Sequence, residues 1–484
     1  MKRYPVTVRL GGLLAALALS GCAPTEDQRP ANVVVILIDD MGWMDTSVYG
    51  SSFYDTPNID RLAAEGVQFT QFYTASSVCS PTRASIMTGK HPARLDLTNW
   101  IGGEQNGLLD QAQYIRRLPQ EEVTIGEAFQ AAGYTTGYVG KWHLGEEGHL
   151  PVSQGFEFNF AVNHAGQPGS YFPPYSNSNM PATDVPDLAG DSSDAYLTDR
   201  LTDASLAFIE SSQADPFLLV LSHYAVHTPL EAPAEVVGRY QAKADALGPE
   251  GEEHYESERA ADTKLRQDHP TYAAMVESTD QSVGRILEKL DELDLDERTV
   301  VVFLSDNGGL STLTRRSFNQ ATANVPLRAG KGWLYEGGIR VPFIVRWPGK
   351  VPAGRSVSTP AMSTDLFPTL LELANLPTLP AQHVDGVSLA ELIAGGREGE
   401  AHDALFWHFP HYHGSGNRPG GAARIGDLKL VEWFEDGALE LYDLSSDLGE
   451  RRDLASERPD DVARLSSALH QWRDDLDANM PTTR

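Results

Sequence analysis

Three short apolar runs, each ending in a cluster of polar or charged residues, constrain this chain more than any other feature. Asn32-Val-Val-Val-Ile-Leu-Ile38 is followed at once by Asp39-Asp40. Phe217-Leu-Leu-Val-Leu-Ser222 gives way to His223 and, four residues later, His227. Thr299-Val-Val-Val-Phe-Leu304 leads into Asp306-Asn307. Unbroken runs of this kind are strands buried on both faces, the condition of a parallel sheet covered by helices. Helices are expected between them: a capped segment from Thr56 stopped by Gly66, another over Thr124–Ala132, and a long one over 272–294. In the last, Met275, Val276, Val283, Ile286, Leu287, Leu290 and Leu293 fall at helical spacing. A further strand, Thr135–Val139, runs into Gly140-Lys-Trp-His-Leu-Gly145. Alternating strands and helices predict an α/β domain. Such sheets hold ligands beyond the carboxyl ends of their strands, where these polar clusters gather.

The pattern changes near residue 400. Asp365-Leu-Phe-Pro-Thr-Leu-Leu-Glu-Leu reads as the last helix of a main domain spanning 32–400. Short strands at Ala404–Trp407, Leu428–Trp433 and Leu439–Tyr442, then a helix near 459–476, predict a smaller α+β domain with an antiparallel sheet over 401–484. Residues 241–268 are highly charged with little periodicity and read as a solvated insertion. Residues 408–424 hold His408, His411 and His413 in a Gly-rich stretch that reads as a loop reaching toward the site. The ordered Cys and His spacing of a zinc centre is missing there.

With 38 basic and 67 acidic residues, the formal charge is −29. That balance excludes a nucleic-acid partner. It would also repel an anionic substrate unless local Lys, Arg or a metal cation held it. Lys2, Arg3 and Arg9 precede the apolar run Leu10–Leu19, which is too short to span a bilayer but suits an export signal. Leu19-Ser-Gly-Cys22 resembles the bacterial lipoprotein cleavage box. The expectation is a signal peptide over 1–21 and a tether over 22–31. The exported protein, periplasmic or at the outer membrane, would touch the membrane only through a lipid on Cys22. Cys79 is then a lone thiol, and stability must come from the core rather than a disulfide.

Cys79-Ser-Pro-Thr-Arg83-Ala-Ser-Ile-Met-Thr-Gly89 surrounds that thiol with hydroxyls and places Arg83 four residues on. Read from the residues alone, it is a nucleophile whose thiolate the nearby positive charge favours, or an inert buried thiol. Asp39, Asp40, Asp306 and Asn307 offer three carboxylates and an amide oxygen after two buried strands. All-oxygen donors select a hard cation, Ca²⁺ or Mg²⁺. The Cys79 string resembles the formylglycine signature of the type I sulfatases, in the alkaline-phosphatase-like superfamily. Around it, Gly140-Lys141-Trp-His143, Tyr224-Ala-Val-His227-Thr-Pro229 and Gly330-Lys331-Gly-Trp match that family's other motifs, and the resemblance covers roughly 31–450.

The resemblance implies a large mixed, mostly parallel sheet flanked by helices. It implies that a formylglycine-generating enzyme converts Cys79 to 3-oxoalanine, whose hydrate attacks sulfur with a hydroxyl activated near Asp306. It implies one Ca²⁺ held by Asp39, Asp40, residue 79, Asp306 and Asn307. Arg83 and Lys141 would steady the nucleophile, His227 with Lys331 would protonate the leaving alcohol, and His143 would take a proton from the nucleophile. The substrate expected is a sulfated carbohydrate, contacted by His408, His411 and Arg424. Two alternatives remain open at this point. One is a formylglycine-dependent phosphonate or phosphate ester hydrolase of the same superfamily, the other an inactive glycan-binding lipoprotein.

Overall fold

The three apolar runs become adjacent parallel strands in a computed structural model of the chain, with Val33 opposite both Leu218 and Val300. The structure describes Met1, residues 30–317 and residues 319–484. The expected signal peptide, Cys22 and all but the end of the tether lie outside the described residues. Numbered along the chain, the central sheet comprises β1 (Asn32–Ile38), β2 (Val67–Tyr73), β3 (Thr135–Lys141), β4 (Phe158–Asn163), β5 (Phe217–Ser222), β6 (Thr299–Ser305), β7 (Arg340–Arg346), β8 (Arg355–Val357) and β9 (Ala361–Met362). Its order is β8-β2-β7-β6-β1-β5-β3-β4, with β9 also pairing with β2. Only β7 runs antiparallel to its neighbours, β2 and β6, so the sheet is mixed but mostly parallel.

Strand β1 shows why a continuous apolar run was needed. Val34, Ile36 and Ile38 pack on one side with Leu201 and Phe208 of helix Leu197–Ser212 and Met275, Val283 and Ile286 of helix Pro270–Glu292. Val33, Val35 and Leu37 pack on the other side with Ala84 and Ile86 of helix Cys79–Thr88 and Phe367 and Leu370 of helix Leu366–Leu373. Every β1 side chain is thus removed from water, each large aliphatic one contributing about 1.5–3 kcal/mol of transfer free energy. The three-layer arrangement leaves the strands' carboxyl ends open as the place for chemistry.

The C-terminal region forms an antiparallel meander: β10 (Leu405–Phe409), β11 (Gly420–Ile425), β12 (Leu428–Trp433) and β13 (Leu439–Asp443). Strand β11 corrects the reading of this stretch as a loop. A Cβ on Gly420 would lie 2.7 Å from Glu432 O and 3.0 Å from the Trp433 ring, so glycine here serves close strand packing rather than a turn. Helix Pro459–Asp475 covers the meander through Leu465 and Leu469. Trp407 joins the small sheet to the large one, its indole N–H donating to Thr74 O at 2.8 Å.

Residues 241–268 are also more ordered than expected. They finish helix Ala234–Ala246 and form the hairpin Tyr255–Glu258 with Ala261–Lys264, extended by Thr312–Leu313. Some of the charges read as solvated pair with one another, Lys264 and Arg266 both with Asp268 at 2.7 Å.

Candidate active site

The polar residues that follow β1, β3, β5 and β6 converge at one edge of the sheet. Asp39-Asp40 leaves β1, Lys141 ends β3 with His143 just beyond, His227 follows β5, and Asp306-Asn307 leaves β6. Cys79 opens its helix against them. Cys79, His143, His227 and Lys331 line a cleft of about 910 Å³. A larger depression of about 1050 Å³ lies at the opposite edge of the sheet, near Asp294, Trp347 and Asn375; Cys79 and the polar groups around it are all elsewhere. Asp40 (φ 63°) and His143 (φ 56°) both hold left-handed backbone conformations, a strain of order 1–3 kcal/mol each that clusters at functional sites.

Three buried ion pairs organise the site. Lys141 Nζ donates to Asp39 Oδ2 at 2.5 Å, Lys331 Nζ to Asp40 Oδ1 at 2.6 Å, and Arg83 Nε to Asp306 Oδ2 at 2.8 Å. Burial raises the Asp39 carboxyl well above its ordinary range, against the pull of Lys141. Burial acts on Asp40 in the same sense, but Lys331, His227 and Lys141 outweigh it and hold that carboxyl well below the usual range. Lys331 in turn is held above the ordinary lysine value by Asp40, although burial disfavours its charge.

Two oxygens in this cluster are buried without a hydrogen-bond partner: Asp39 Oδ1 and Asn307 Oδ1. The Asn307 amide is oriented by its Nδ2, which donates to Asp40 Oδ1 at 2.8 Å and Gly308 O at 3.1 Å, leaving the oxygen free. Ligating atoms of Asp39, Asp40 and His227, and of Asp39, Cys79 and Asp306, lie within 4.8 Å of one another. An unpaired buried acceptor is costly, and hard oxygen donors gathered around two of them fit a divalent cation.

Cys79 Sγ lies 3.3 Å from His143 Nδ1, and His143 Nε2 lies 3.1 Å from Ile101 O. Because a carbonyl only accepts, Nε2 carries the proton and Nδ1 presents its lone pair to residue 79. Burial, reinforced by Lys141, keeps this imidazole well below its ordinary pKa and therefore neutral. The expected thiolate is not favoured. Burial pushes the Cys79 thiol up, and Lys141 and Lys331 offset that only in part. Arg83 donates through Nη1 to Lys141 O and Ser222 Oγ, at 2.8 and 2.7 Å, while its buried Nη2 has no partner. Gly166 lets the neighbouring loop lie over His143: a Cβ there would stand 2.5 Å from His143 Cε1.

Two histidines after β5 part company. His223 is buried, with Nε2 3.0 Å from Ser282 Oγ, whereas His227 lines the cleft with Nε2 3.6 Å from Asp40 Oδ2. Burial, then Lys331, bring His227 down to about 3.

None of His408, His411 and Arg424, expected to contact substrate, faces the cleft. His408 Nε2 is 2.9 Å from Asn479 O, and His411 Nε2 is 2.8 Å from Thr98 Oγ1. Arg424 is 3% exposed and donates to Gly426 O, Tyr73 OH and Gln71 Oε1. His411 and Arg424 are spent on joining the small sheet to the large domain, and His408 on holding the C-terminal segment. The third histidine, His413, enters the cleft instead, and the rim adds Trp100, Arg116, Arg117 and His164. Sequence reasoning missed these: nothing in the spacing of His408, His411 and His413 says which ring turns outward. The 100–117 segment carries no periodic signal.

Residues 31–376 match the family described as Sulfatase, and residues 329–477 match N-sulphoglucosamine sulphohydrolase, C-terminal. A sulfatase of Formosa agariphila is 31% identical, with 100% of this chain and 95% of that protein covered. The N-acetylgalactosamine-6-sulfatase of Canis lupus familiaris is 33% identical over 81% of this chain and 72% of its own length. Among solved structures, Ps i-CgsB in complex with k-i-k-neocarrahexaose superposes with a TM-score of 0.73 at 27% identity, covering 92% of this chain and 93% of that one. With the mixed sheet, the paired carboxylates at its edge and the family match over most of its length, this chain belongs to the sulfatase family and is a sulfuric ester hydrolase.

Proposed function

We propose that the chain is a Ca²⁺- and formylglycine-dependent sulfatase that removes sulfate from a sulfated carbohydrate, working as an exported lipoprotein anchored through Cys22. The observation that carries the chemistry is the set of unsatisfied buried groups around residue 79: acceptors at Asp39 Oδ1 and Asn307 Oδ1, and a donor at Arg83 Nη2. Acceptors without donors suit a cation, and a cationic donor without an acceptor suits an oxyanion. The carbohydrate reading is supported by relatives whose names or bound ligands are sugars. The lipoprotein reading rests on Leu19-Ser-Gly-Cys22 alone.

Asp39, Asp40, Asp306, Asn307 and residue 79 would hold the cation, which supplies charge neutralisation at a sulfate oxygen. The aldehyde made from Cys79 supplies, once hydrated, the oxygen nucleophile and a route to expel sulfate. His143 Nδ1 faces residue 79 with a lone pair and accepts its proton. Arg83 Nη2 and Lys141 hold negative charge on the same side. On the far side, Lys331 Nζ and His227 Nε2 approach Asp40 at 2.6 and 3.6 Å and both line the cleft, so these two are the groups placed to protonate the leaving oxygen.

The test compares kcat/KM on sulfated mono- and oligosaccharides with that on matching phosphonate esters, using protein made alongside a formylglycine-generating enzyme and checked by peptide mass spectrometry at residue 79. Preference for the sulfate esters, present only when residue 79 carries the aldehyde, is the expected result. Equal rates with unmodified Cys79, or a phosphonate preference, would overturn the proposal.

A further inference from the structure

His413 is the one cleft residue contributed by the C-terminal sheet region, and its ring is held through one nitrogen only. The Ser415 backbone N–H donates to His413 Nδ1 at 3.2 Å, and Ser415 Oγ lies 3.0 Å from the same atom. A backbone N–H cannot accept, so Nδ1 holds a lone pair and the ring proton sits on Nε2. That Nε2 has no hydrogen-bond partner among the described residues, and it is not among the fully buried unpaired atoms. It is therefore an oriented N–H donor left open to the cleft.

Its position is set by the turn carrying Lys331. A Cβ on Gly332 would lie 2.4 Å from His413 Nδ1 and 2.5 Å from Ser415 Oγ, so the two turns are in direct contact. Gly332 adopts φ +85° and donates its N–H to Ser77 O at 2.8 Å, and Trp333 Nε1 donates to Ser415 O at 3.1 Å. The 413–415 turn is thus clamped beside Lys331. The contact with Gly332 places His413 on the Lys331 flank of the cleft, the side on which the proposed function puts the leaving oxygen.

We propose that His413 donates its Nε2–H to an oxygen of the saccharide beside the ester being cleaved, and so helps determine which sulfated position is accepted. This rests on the sulfated-carbohydrate reading above. A donor that is fixed, uncharged in this tautomer and outside the sulfate-binding cations suits a sugar hydroxyl or ring oxygen. An unpaired donor in the cleft discriminates against a substrate lacking that acceptor.

The test uses the mature enzyme on a sulfated sugar that it hydrolyses, that sugar's mono-deoxy analogues, and 4-nitrophenyl sulfate. Hydrolysis by the wild type establishes the substrate class independently of His413. His413→Ala should then lower kcat/KM on the parent sugar on the order of tenfold, and more than on the aryl ester. One deoxy analogue should lose a similar factor with the wild type and almost nothing further with the variant, and His413→Gln should recover part of the loss. Additive effects with every analogue, or an equal loss on the aryl ester, would overturn the assignment. If His413→Ala does not fold, the comparison of His413→Gln with wild type across the analogues decides. A wild type that hydrolyses only the aryl ester would refute the carbohydrate reading itself, and His413's role with it.

Discussion

Removing the divalent cation should cost this protein stability as well as activity. Without it, Asp39 Oδ1 and Asn307 Oδ1 are desolvated acceptors with nothing to accept, each carrying a penalty of about 1–3 kcal/mol. Asp39 bears the added strain of a carboxyl that burial raises well above its ordinary pKa. A cation that binds only the folded chain stabilises it by RT ln(1 + [L]/Kd), about 2.7 kcal/mol at a hundredfold excess over Kd. For 484 residues the unfolding entropy is about 1 kcal/mol per degree, so the expected rise in Tm is about 3 °C. Thermal unfolding would be followed after chelation and desalting, then again with Ca²⁺, Mg²⁺ or K⁺ added back. Ca²⁺ should give the largest shift, because it accepts many protein oxygens with irregular geometry, whereas Mg²⁺ is reluctant to shed its waters. Asn307→Leu removes one of the two free oxygens and should abolish most of the shift. A wild-type Tm indifferent to millimolar Ca²⁺ would refute the reasoning, as would an unchanged shift in Asn307→Leu.

Two further perturbations follow from the buried charges. Lys141→Ala leaves Asp39 buried without its ammonium and should destabilise by about 3–5 kcal/mol; in urea unfolding, the double variant with Asp39→Asn should recover most of that, and no recovery would refute the pairing. Glu336 and Glu450 share Lys429 Nζ, each at 2.9 Å and fully buried. Burial, together with the Glu336 charge and against the pull of Lys429, pushes Glu450 up to about 7, above the 4.5 of a free glutamate. Folding therefore takes up a proton between those values, so stability from this group is present below pH 4.5 and falls as pH rises to about 7. Glu450→Gln should flatten the decline in urea midpoint from pH 5 to 7.5 relative to wild type; a parallel decline in both proteins would count against it.

What the residues disclosed in advance follows from how locally each feature is determined. Strands β1, β5 and β6 were legible because burial on both faces demands unbroken apolar runs, and the Asp pairs after β1 and β6 inherit their placement from those strands. Strand β11 was not legible, because its Gly420 answers to the Trp433 ring across the sheet, a contact that no local pattern encodes. The same limit explains the histidines near 410. His411 is bound into the junction by Thr98, 313 positions away along the chain, and His408 is held within the C-terminal region by Asn479, 71 positions away. His413 is freed because Ser415 holds its inner nitrogen and the Gly332 turn supports it from below. Two buried rings and one open one, within six residues, are told apart chiefly by partners distant in sequence. The candidate catalytic centre sits where parallel strands end and so is read from strand patterns. The residues proposed to meet the rest of the substrate sit where the small sheet packs against the large one, and their exposure is decided by tertiary contacts. For this chain, chemistry is therefore more legible than specificity, and His413 lies on that boundary: Ser415 beside it fixes its ring locally, while the distant Gly332 turn decides that the ring reaches the cleft.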